Sequence, residues 1–241
     1  MNPGPKRAMV MAAGLGTRMR PLTHATPKPL VKVAGKALID YVLDRLVAAG
    51  VEMAVVNVHY LADQIVAHLA KRRDLEIRIS DERDELLDSG GGIYKALSYF
   101  EGEPFFHVNA DTVWIEGTSH ALERLKQLWQ PSIMDALMLL AATVNSVCYE
   151  GKGDFVMDAQ GHLTRVPEHH VSPFVWTSVE IVHPRLFDAA PGGRFSINPL
   201  WDRAISRGRL FGMRLDGIWM HIDRPEAIAP AEACLADLAP V

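Results

Sequence analysis

Glycines and cationic side chains are concentrated just after the first apolar segment of the chain. Residues 8–13 form a short apolar run, and Gly14, Gly16, Arg18 and Lys28 follow it. Glycines let the backbone approach an anion that a Cβ atom would repel, and successive loop N–H groups can point at phosphate oxygens. Together with the two full positive charges, these features predict a loop that holds the phosphates of a nucleoside triphosphate.

Two better-known glycine motifs do not fit this loop. A dinucleotide-binding fingerprint needs a third glycine or alanine where this chain has Met19. A P-loop needs Gly-Lys-Ser/Thr five residues after its first glycine, and Met19 and Arg20 stand there instead. The pattern that remains is Gly-x-Gly-Thr-Arg-x-x-Pro-Leu-Thr at 14–23, with Pro-Lys-Pro-Leu at 27–30.

This pattern resembles the signature of the sugar-1-phosphate nucleotidyltransferases. The resemblance implies an enzyme in which an oxygen of a sugar 1-phosphate attacks the α-phosphorus of a nucleoside triphosphate and pyrophosphate leaves. Such a transfer needs positioning and charge neutralisation more than covalent help. Arg18 would grip the β- and γ-phosphates and Lys28 would lie near the α-phosphate. The loop residues expected to contact the nucleotide are Ala12, Ala13, Gly14, Gly16 and Thr17.

Asp111 comes just after an apolar segment at 105–109. A carboxylate is the hard oxygen ligand that Mg²⁺ prefers, and it would lie beside the predicted triphosphate loop. The resemblance implies that Asp111 holds Mg²⁺ and takes part in catalysis. Asn109 is expected to orient Asp111 or to contact the sugar phosphate.

The second metal-binding segment of the family is altered in this chain. The family has Trp-x-Asp-x-Gly-Thr-Pro-Glu, whereas residues 219–226 read Trp-Met-His-Ile-Asp-Arg-Pro-Glu. His221 therefore occupies the metal position and Asp223 the position of the usual glycine. Imidazole suits Mn²⁺ or Zn²⁺ better than Mg²⁺. Three interpretations stay open: Asp223 supplies the carboxylate, Asp111 alone binds the metal with His221 behind it, or catalysis is impaired.

Two further sets of residues match the family more weakly. A Ser-Gly-Gly-Gly segment at 89–92 resembles the one that lies against the base and ribose, and it indicates nucleotide contacts at Leu87, Gly90 and Gly91. Gly153, Asp154 and Thr177 fall where the family contacts the sugar.

Strand-like and helix-like segments alternate along the chain, as in a parallel sheet with crossover helices. We expect an α/β protein with a single three-layer α/β/α domain, a Rossmann-like and mostly parallel sheet, and the nucleotide-diphospho-sugar transferase fold implied by the resemblance. Residues 1–115 would form the nucleotide-binding half and 116–241 the sugar-binding half. The predicted strands are 8–13, 54–58, 76–80, 105–109, 136–144, 154–158, 177–182 and 210–214, and the predicted helices are 37–49, 61–71, 92–99, 199–207 and 225–238.

Composition favours a soluble globular protein over the classes that depend on charge or on long apolar segments. Of 241 residues, 49% are hydrophobic and 22% charged, and the net charge of −4 gives no sign of a nucleic-acid surface. No apolar run approaches the ~20 residues that span a bilayer. The two cysteines lack metal or redox spacing, so we expect reduced thiols and a cytoplasmic location. The sequence does not indicate an oligomeric state.

Within the family, the layout resembles the short bacterial uridylyltransferases that act on N-acetylmuramic acid 1-phosphate in cell-wall recycling. Mannose-1-phosphate guanylyltransferases have a similar layout and are the first alternative. An alternative of another class is a non-catalytic, regulatory binder of nucleotide sugars, which His221 and Arg224 would favour.

Overall fold

The order of strands and helices confirms an α/β chain. The structure is a computed structural model and describes residues 4–237. Its strands are β1 (Arg7–Met11), β2 (Lys32–Val33), β3 (Lys36–Ala37), β4 (Met53–Val58), β5 (Glu76–Asp81), β6 (Phe105–Asn109), β7 (Val113–Glu116), β8 (Ala136–Ala142), β9 (Phe155–Met157), β10 (Leu163–Arg165), β11 (Phe174–Val182), β12 (Leu210–Arg214) and β13 (Gly217–Met220). Its helices are α1 (Leu38–Ala48), α2 (Ala62–Leu69), α3 (Asp88–Ala96), α4 (Ala121–Leu128), α5 (Asn198–Ser206) and α6 (Ile228–Asp237).

Nine of these strands form one central sheet. Strands β6, β1, β4 and β5 are neighbours in that order and run parallel. Strand β11 is antiparallel to β6 and to β8, and β12 runs parallel to β8. Short strands β9 and β10 extend the sheet beside the start of β11. The second half of the chain thus continues the sheet of the first half.

Helices cover both faces of this sheet, which gives the expected three layers. Alternate strand residues point to opposite faces, so Val10 and Val108 pack with α1, α2 and α4, whereas Met9 and Phe105 pack with α3 and α5. A third apolar cluster lies beneath α6 and includes Met19. Each fully buried side chain of this size contributes roughly 1.5–3 kcal/mol of burial free energy.

The spacing of apolar residues in helix α1 predicts the bounds of the helix closely. Its apolar residues recur at helical spacing and are fully buried on one face. The helix ends at Ala48, and Gly50 follows with a φ of 74°. Its ends therefore lie within one residue of the predicted bounds.

Several predicted bounds are wrong in detail. The helix expected at 92–99 begins at Asp88, so the glycine triplet lies inside α3 and not in a turn before it. The expected C-terminal helix begins with a 3₁₀ turn, Pro225–Ala227, before α6, and Leu238 lies outside the described residues. Strands β7 and β13, which pair antiparallel, were not predicted, and neither was α4.

Across residues 4–237, no helix is both long and apolar enough to cross a bilayer. Cys148 and Cys234 are free thiols, as expected.

Candidate active site

The glycine loop leaves the carboxyl end of β1 at the edge of the sheet where ligands of parallel α/β folds bind. A Cβ atom at Gly14 would meet no described heavy atom within 4 Å, so this part of the loop is open to an approaching ligand. Gly16 has a φ of 61°, and its carbonyl accepts hydrogen bonds from Met19 N and Thr23 Oγ1. A side chain at Gly16 would be strained and would crowd Thr23. The turn is therefore held in place from inside the protein while its outer face stays free.

Lys28 and Asp111 meet in the cleft beside this loop. Lys28 lies in a 3₁₀ turn, Lys28–Leu30, and its Nζ is 2.5 Å from Asp111 Oδ2. Only 14% of the Lys28 side chain and 31% of the Asp111 side chain is exposed. Partial burial strengthens the attraction between these charges relative to a solvated pair. The structure thus brings together the lysine and the carboxylate that were predicted to act on the phosphates.

Arg18 and Asp223 form a second ion pair at the cleft. Arg18 donates from Nη1 to Asp223 Oδ2 at 2.6 Å, and Asp223 is largely buried while Arg18 is 71% exposed. Asp223 Oδ1 lies 3.4 Å from Arg224 Nε, an ion-pair contact that does not satisfy it as a hydrogen bond. One oxygen of Asp223 is therefore a buried acceptor with no hydrogen-bond partner among the described residues.

His221 is packed between aromatic rings. The Trp219 ring stacks on it with centroids 5.3 Å apart, and the Tyr149 ring meets it edge-on at 5.7 Å. Burial lowers the pKa of His221, and the positive charges of Lys28 and Arg18 lower it further against the opposing effect of Asp223. The imidazole is neutral at pH 7 and its Nε2 lies 3.9 Å from Asp223 Oδ2.

The two ion pairs line a cleft of about 450 Å³, and His221 lies outside its lining. Ten of the sequence-predicted site residues line it: Ala12, Ala13, Gly14, Gly16, Thr17, Arg18, Lys28, Asn109, Asp111 and Asp223. The size fits a small-molecule ligand, because ligand clefts commonly measure ~300–1,000 Å³. The cleft thus collects most of the predicted phosphate, metal and nucleotide contacts in one place.

A buried polar relay that was not predicted supports the floor of the cleft. Asn57, at the end of β4, accepts from Ala12 N at 2.7 Å and donates to Glu82 Oε1 at 2.8 Å. Glu82 Oε2 in turn accepts from Leu87 N at 3.1 Å. The relay fixes the glycine loop relative to the segment before α3. Asn57 interrupts an otherwise apolar strand, and that interruption was the available sequence signal.

Two glycines of α3 pack closely against another segment of the same chain, at 193–195. Gly90 N and Gly91 N both donate to Phe195 O, at 2.9 and 3.0 Å. A Cβ at Gly90 would meet the Phe195 ring, and one at Gly91 would meet Gly193 O. Leu87, Gly90 and Gly91 are therefore behind the cleft surface, which in this region is lined by Leu86, Asp88, Ser89 and Arg194.

The weakly predicted sugar contacts do not line the cleft. Gly153 has a φ of 77°, and its N–H donates to the Tyr149 hydroxyl. Burial raises the pKa of Asp154, whose Oδ2 accepts from Trp176 N at 2.9 Å. Thr177 is fully buried and its hydroxyl donates to Leu139 O. Thr177 lies on the same buried face of β11 as Val175 and Val179, within the stretch where the register of β11 on β8 breaks.

The acidic groups fit a metal ion that is bound together with a nucleotide. Within residues 4–237, no three His, Cys, Asp or Glu side chains gather as a protein-only metal cage. Mg²⁺ does not need one, since it commonly takes one or two carboxylates plus phosphate oxygens and water. Asp111 and the unsatisfied oxygen of Asp223 supply such carboxylates at the cleft.

The chain belongs to the nucleotidyl transferase family, whose model matches residues 7–143. It is 47% identical to the N-acetylmuramate α-1-phosphate uridylyltransferase of Caulobacter vibrioides, over 98% of this chain and 100% of that protein. Identity to the protein of the same name from Neisseria meningitidis is 32%, over 94% of this chain and 97% of that one. The fold matches the inositol-1-phosphate CTP transferase of T. maritima with a TM-score of 0.77 at 17% identity, covering 99% and 98% of the two chains.

Proposed function

We propose that this protein is an N-acetylmuramate-1-phosphate uridylyltransferase. It joins UTP to the sugar phosphate and releases pyrophosphate. The observation that carries the proposal is the pairing of Lys28 with Asp111 beside an open glycine loop. The end-to-end similarity to the Caulobacter uridylyltransferase supports the choice of base and sugar.

In the proposed reaction a phosphate oxygen of the sugar 1-phosphate attacks the α-phosphorus of UTP. A new oxygen–phosphorus bond forms, the bond from the α-phosphorus to the bridging oxygen of the β-phosphate breaks, and pyrophosphate takes the electron pair. Negative charge grows on the bridging oxygen and on the α-phosphate in the transition state. Lys28, held by Asp111 in a fixed position, stabilises the α-phosphate oxygens as this happens.

Arg18 binds the leaving pyrophosphate in this proposal. Its side chain is exposed enough to turn from Asp223 towards the β- and γ-phosphates, with which a guanidinium can form two parallel hydrogen bonds. The backbone N–H groups of residues 12–17 surround the same phosphates. Arg18 thus exchanges a carboxylate for a phosphate when the nucleotide enters.

A divalent cation completes the site, and we propose Mg²⁺, with Mn²⁺ as a substitute. Asp111 and Asp223 would hold it, and bound there it would neutralise phosphate charge. His221 is a neutral ring packed against Trp219 and Tyr149, and it supports Asp223 from behind. Asn109, which lines the cleft next to Asp111, would contact the sugar phosphate.

The substrates place the reaction in the cytoplasm, where UTP is available, and in the recycling of cell-wall sugars. Residues 1–115 would bind the nucleotide and 116–241 the sugar. The cleft would take small molecules, with no role for nucleic acid or membrane.

Pyrophosphate release tests the proposal. The purified protein is given Mg²⁺ and each common nucleoside triphosphate in combination with each member of a panel of sugar 1-phosphates, which includes N-acetylmuramate 1-phosphate and mannose 1-phosphate. Release only with UTP and N-acetylmuramate 1-phosphate supports the proposal. Release with GTP and mannose 1-phosphate would replace it with guanylyl transfer.

The substitution of His221 for the family's aspartate favours one other function, a non-catalytic binder. Such a protein would bind UTP or a UDP-sugar and release no pyrophosphate under any combination. Equilibrium binding of UTP, measured beside the release assay, separates this outcome from a protein that does not recognise nucleotides.

A further inference from the structure

The two acidic segments of the cleft are held by different strands of a small second sheet. Asp111 comes just before β7, and His221 and Asp223 follow β13. Strands β7 and β13 pair antiparallel, with Val113 opposite Met220 and Trp114 opposite Trp219. The pairing sets the register of the two segments. Backbone bonds also tie each segment to its surroundings, since Ala110 N donates to Met11 O of β1 and His221 N donates to Val147 O. What remains is a side-chain link that joins both segments to the central sheet.

The Thr112 hydroxyl links these segments to each other and to the main sheet. It accepts from Trp219 Nε1 at 3.0 Å and donates to the carbonyl of Thr177 at 2.6 Å. All three residues are at most 5% exposed. Thr112 directly follows Asp111, and the Trp219 ring stacks on His221. The link therefore connects the segment that carries Asp111 with the segment that carries His221 and Asp223.

The chemistry of the link requires a hydroxyl. An indole N–H is only a donor and a carbonyl is only an acceptor, so the group between them must accept from one and donate to the other. A valine at this position would keep the shape and lose both bonds. A serine would keep both bonds and lose a methyl group.

The third group in the link, the carbonyl of Thr177, lies in the bulge of β11. The register of β11 on β8 breaks between Trp176 and Glu180, and Ser178 has a φ of 66°. A positive φ at a residue other than glycine is strained and persists where the surroundings enforce it. Thr177 lies inside this irregular stretch, its hydroxyl is bound to Leu139 O, and its carbonyl receives Thr112. The bulge thus supplies a fixed acceptor on the rigid central sheet.

We propose that Thr112 is a positioning residue that fixes Asp111 relative to His221 and Asp223 through this hydroxyl link. The inference rests on the proposed function, in which those carboxylates hold a divalent cation. It assigns to Thr112, Trp219 and the bulged Thr177 carbonyl the task of setting the spacing of the two carboxylates. Partners that orient metal ligands in this way commonly change metal affinity or activity by 10–100-fold when removed.

The test compares Thr112→Val with Thr112→Ser, and uses Thr164→Val, an exposed threonine on β10, as the matched control. Binding of Mn²⁺ to the protein is measured by electron paramagnetic resonance with UTP present and no sugar 1-phosphate, so that no turnover occurs. Turnover with UTP and N-acetylmuramate 1-phosphate and metal-free UTP binding are measured in parallel, and thermal unfolding reports the folded fraction.

We expect Thr112→Val to weaken Mn²⁺ binding about 10-fold and to lower kcat by about 10–100-fold. Metal-free UTP binding stays within about twofold of wild type, because the glycine loop is untouched. Thr112→Ser and Thr164→Val keep Mn²⁺ affinity close to wild type. Trp219→Phe, which removes the indole N–H together with one of the two fused rings, weakens Mn²⁺ binding in the same direction and carries the test if Thr112→Val does not fold.

Unchanged Mn²⁺ affinity in a folded Thr112→Val or Trp219→Phe protein would overturn the inference. So would a Thr112→Ser protein as impaired as Thr112→Val, because packing and not the hydroxyl would then be at issue. A wild-type protein that binds Mn²⁺ but releases no pyrophosphate with any substrate pair would refute the proposed function and leave the Mn²⁺ comparison intact.

Discussion

Lys28 Nζ lies 2.5 Å from Asp111 Oδ2, although 83 positions separate the two residues in the chain. The pair joins the glycine-loop segment to the loop after β6, at the edge of the sheet where β1 and β6 end side by side. It fixes a positive charge next to a carboxylate in a partly buried cleft, where electrostatic interactions are stronger than in bulk water. This preorganisation is what a phosphoryl transfer without covalent catalysis needs.

Asp111→Asn keeps the shape of the side chain and removes its charge. We expect turnover to fall by on the order of 10³-fold, because both the metal site and the position of Lys28 depend on the carboxylate. Asp188→Asn, which removes an exposed carboxylate just after the 3₁₀ turn Pro184–Phe187, serves as the matched control and keeps full turnover. Steady-state pyrophosphate release and circular dichroism check the two variants. Near wild-type turnover in Asp111→Asn would eliminate Asp111 as a metal and catalytic group.

Lys28→Met separates binding from catalysis. Charge on the α-phosphate grows in the transition state, so we expect kcat to fall by about 10²-fold while UTP binding weakens by no more than about threefold. Lys71→Met, at an exposed lysine just after α2, is the control. Rapid-mix turnover and equilibrium binding of UTP are compared. If both quantities fall equally, Lys28 binds only the ground state.

Substitutions at Asp223 and at His221 show which of the two residues is the second metal ligand. If Asp223 holds the cation, Asp223→Asn raises the Mg²⁺ concentration for half-maximal turnover by about 10-fold or more, whereas His221→Gln raises it by less. The preference of Mg²⁺ for oxygen ligands, and the packing of His221 between Trp219 and Tyr149, lead us to expect this order. Metal titrations of turnover with Mg²⁺ and Mn²⁺ measure it. A larger effect in His221→Gln, together with a shift in preference away from Mn²⁺, would assign the metal to the imidazole.

Asp135 gives the fold a defined dependence on pH. Burial alone raises the pKa of Asp135, but hydrogen bonds from Arg185 and Arg209 outweigh it and hold that pKa below its ordinary value. A carboxylate with a lowered pKa adds stability above its unfolded pKa, and this stability is lost as the pH falls through the folded pKa. Asp135→Asn is therefore expected to lower the free energy of unfolding by ~2 kcal/mol at pH 7, and by less at pH 3.

Urea unfolding of wild type and Asp135→Asn at pH 7 and pH 3 measures this difference. Asp188→Asn again serves as the control, since it removes an exposed carboxylate of the same type. An equal difference between wild type and Asp135→Asn at both pH values would show that the two ion pairs do not depend on the charge of Asp135.

The sequence predicted the structure best where it contains a clear hydrophobic pattern or a long motif. The apolar stripe of α1 and the apolar run of β6 gave elements whose bounds agree with the structure within one residue. Arg18 and Lys28 were predicted because a long composite motif carries their spacing, and Asp111 because it follows the apolar segment at 105–109 in a chain that resembles the family. Strand order brings all three to one edge of the sheet.

Tertiary packing decided what the sequence did not reveal. The glycines of α3 are required by the approach of Phe195 and Gly193, which lie more than 100 positions away in the chain. Thr177 shares the buried face of Val175 and Val179, and no local pattern marks the break in the register of β11 beside it. The relay from Asn57 to Glu82 joins polar residues at the ends of separate strands, so its partners are visible only in the fold.

The central claim, uridylyl transfer to N-acetylmuramate 1-phosphate, is tested most directly by a competition experiment. The protein is incubated with Mg²⁺, N-acetylmuramate 1-phosphate and equal concentrations of UTP, GTP, CTP, ATP and dTTP, and the sugar nucleotides are identified by mass spectrometry. We predict that the UDP-sugar is the dominant product and that its formation matches pyrophosphate release. A different nucleotide sugar as the main product, or no sugar nucleotide at all, would contradict the account.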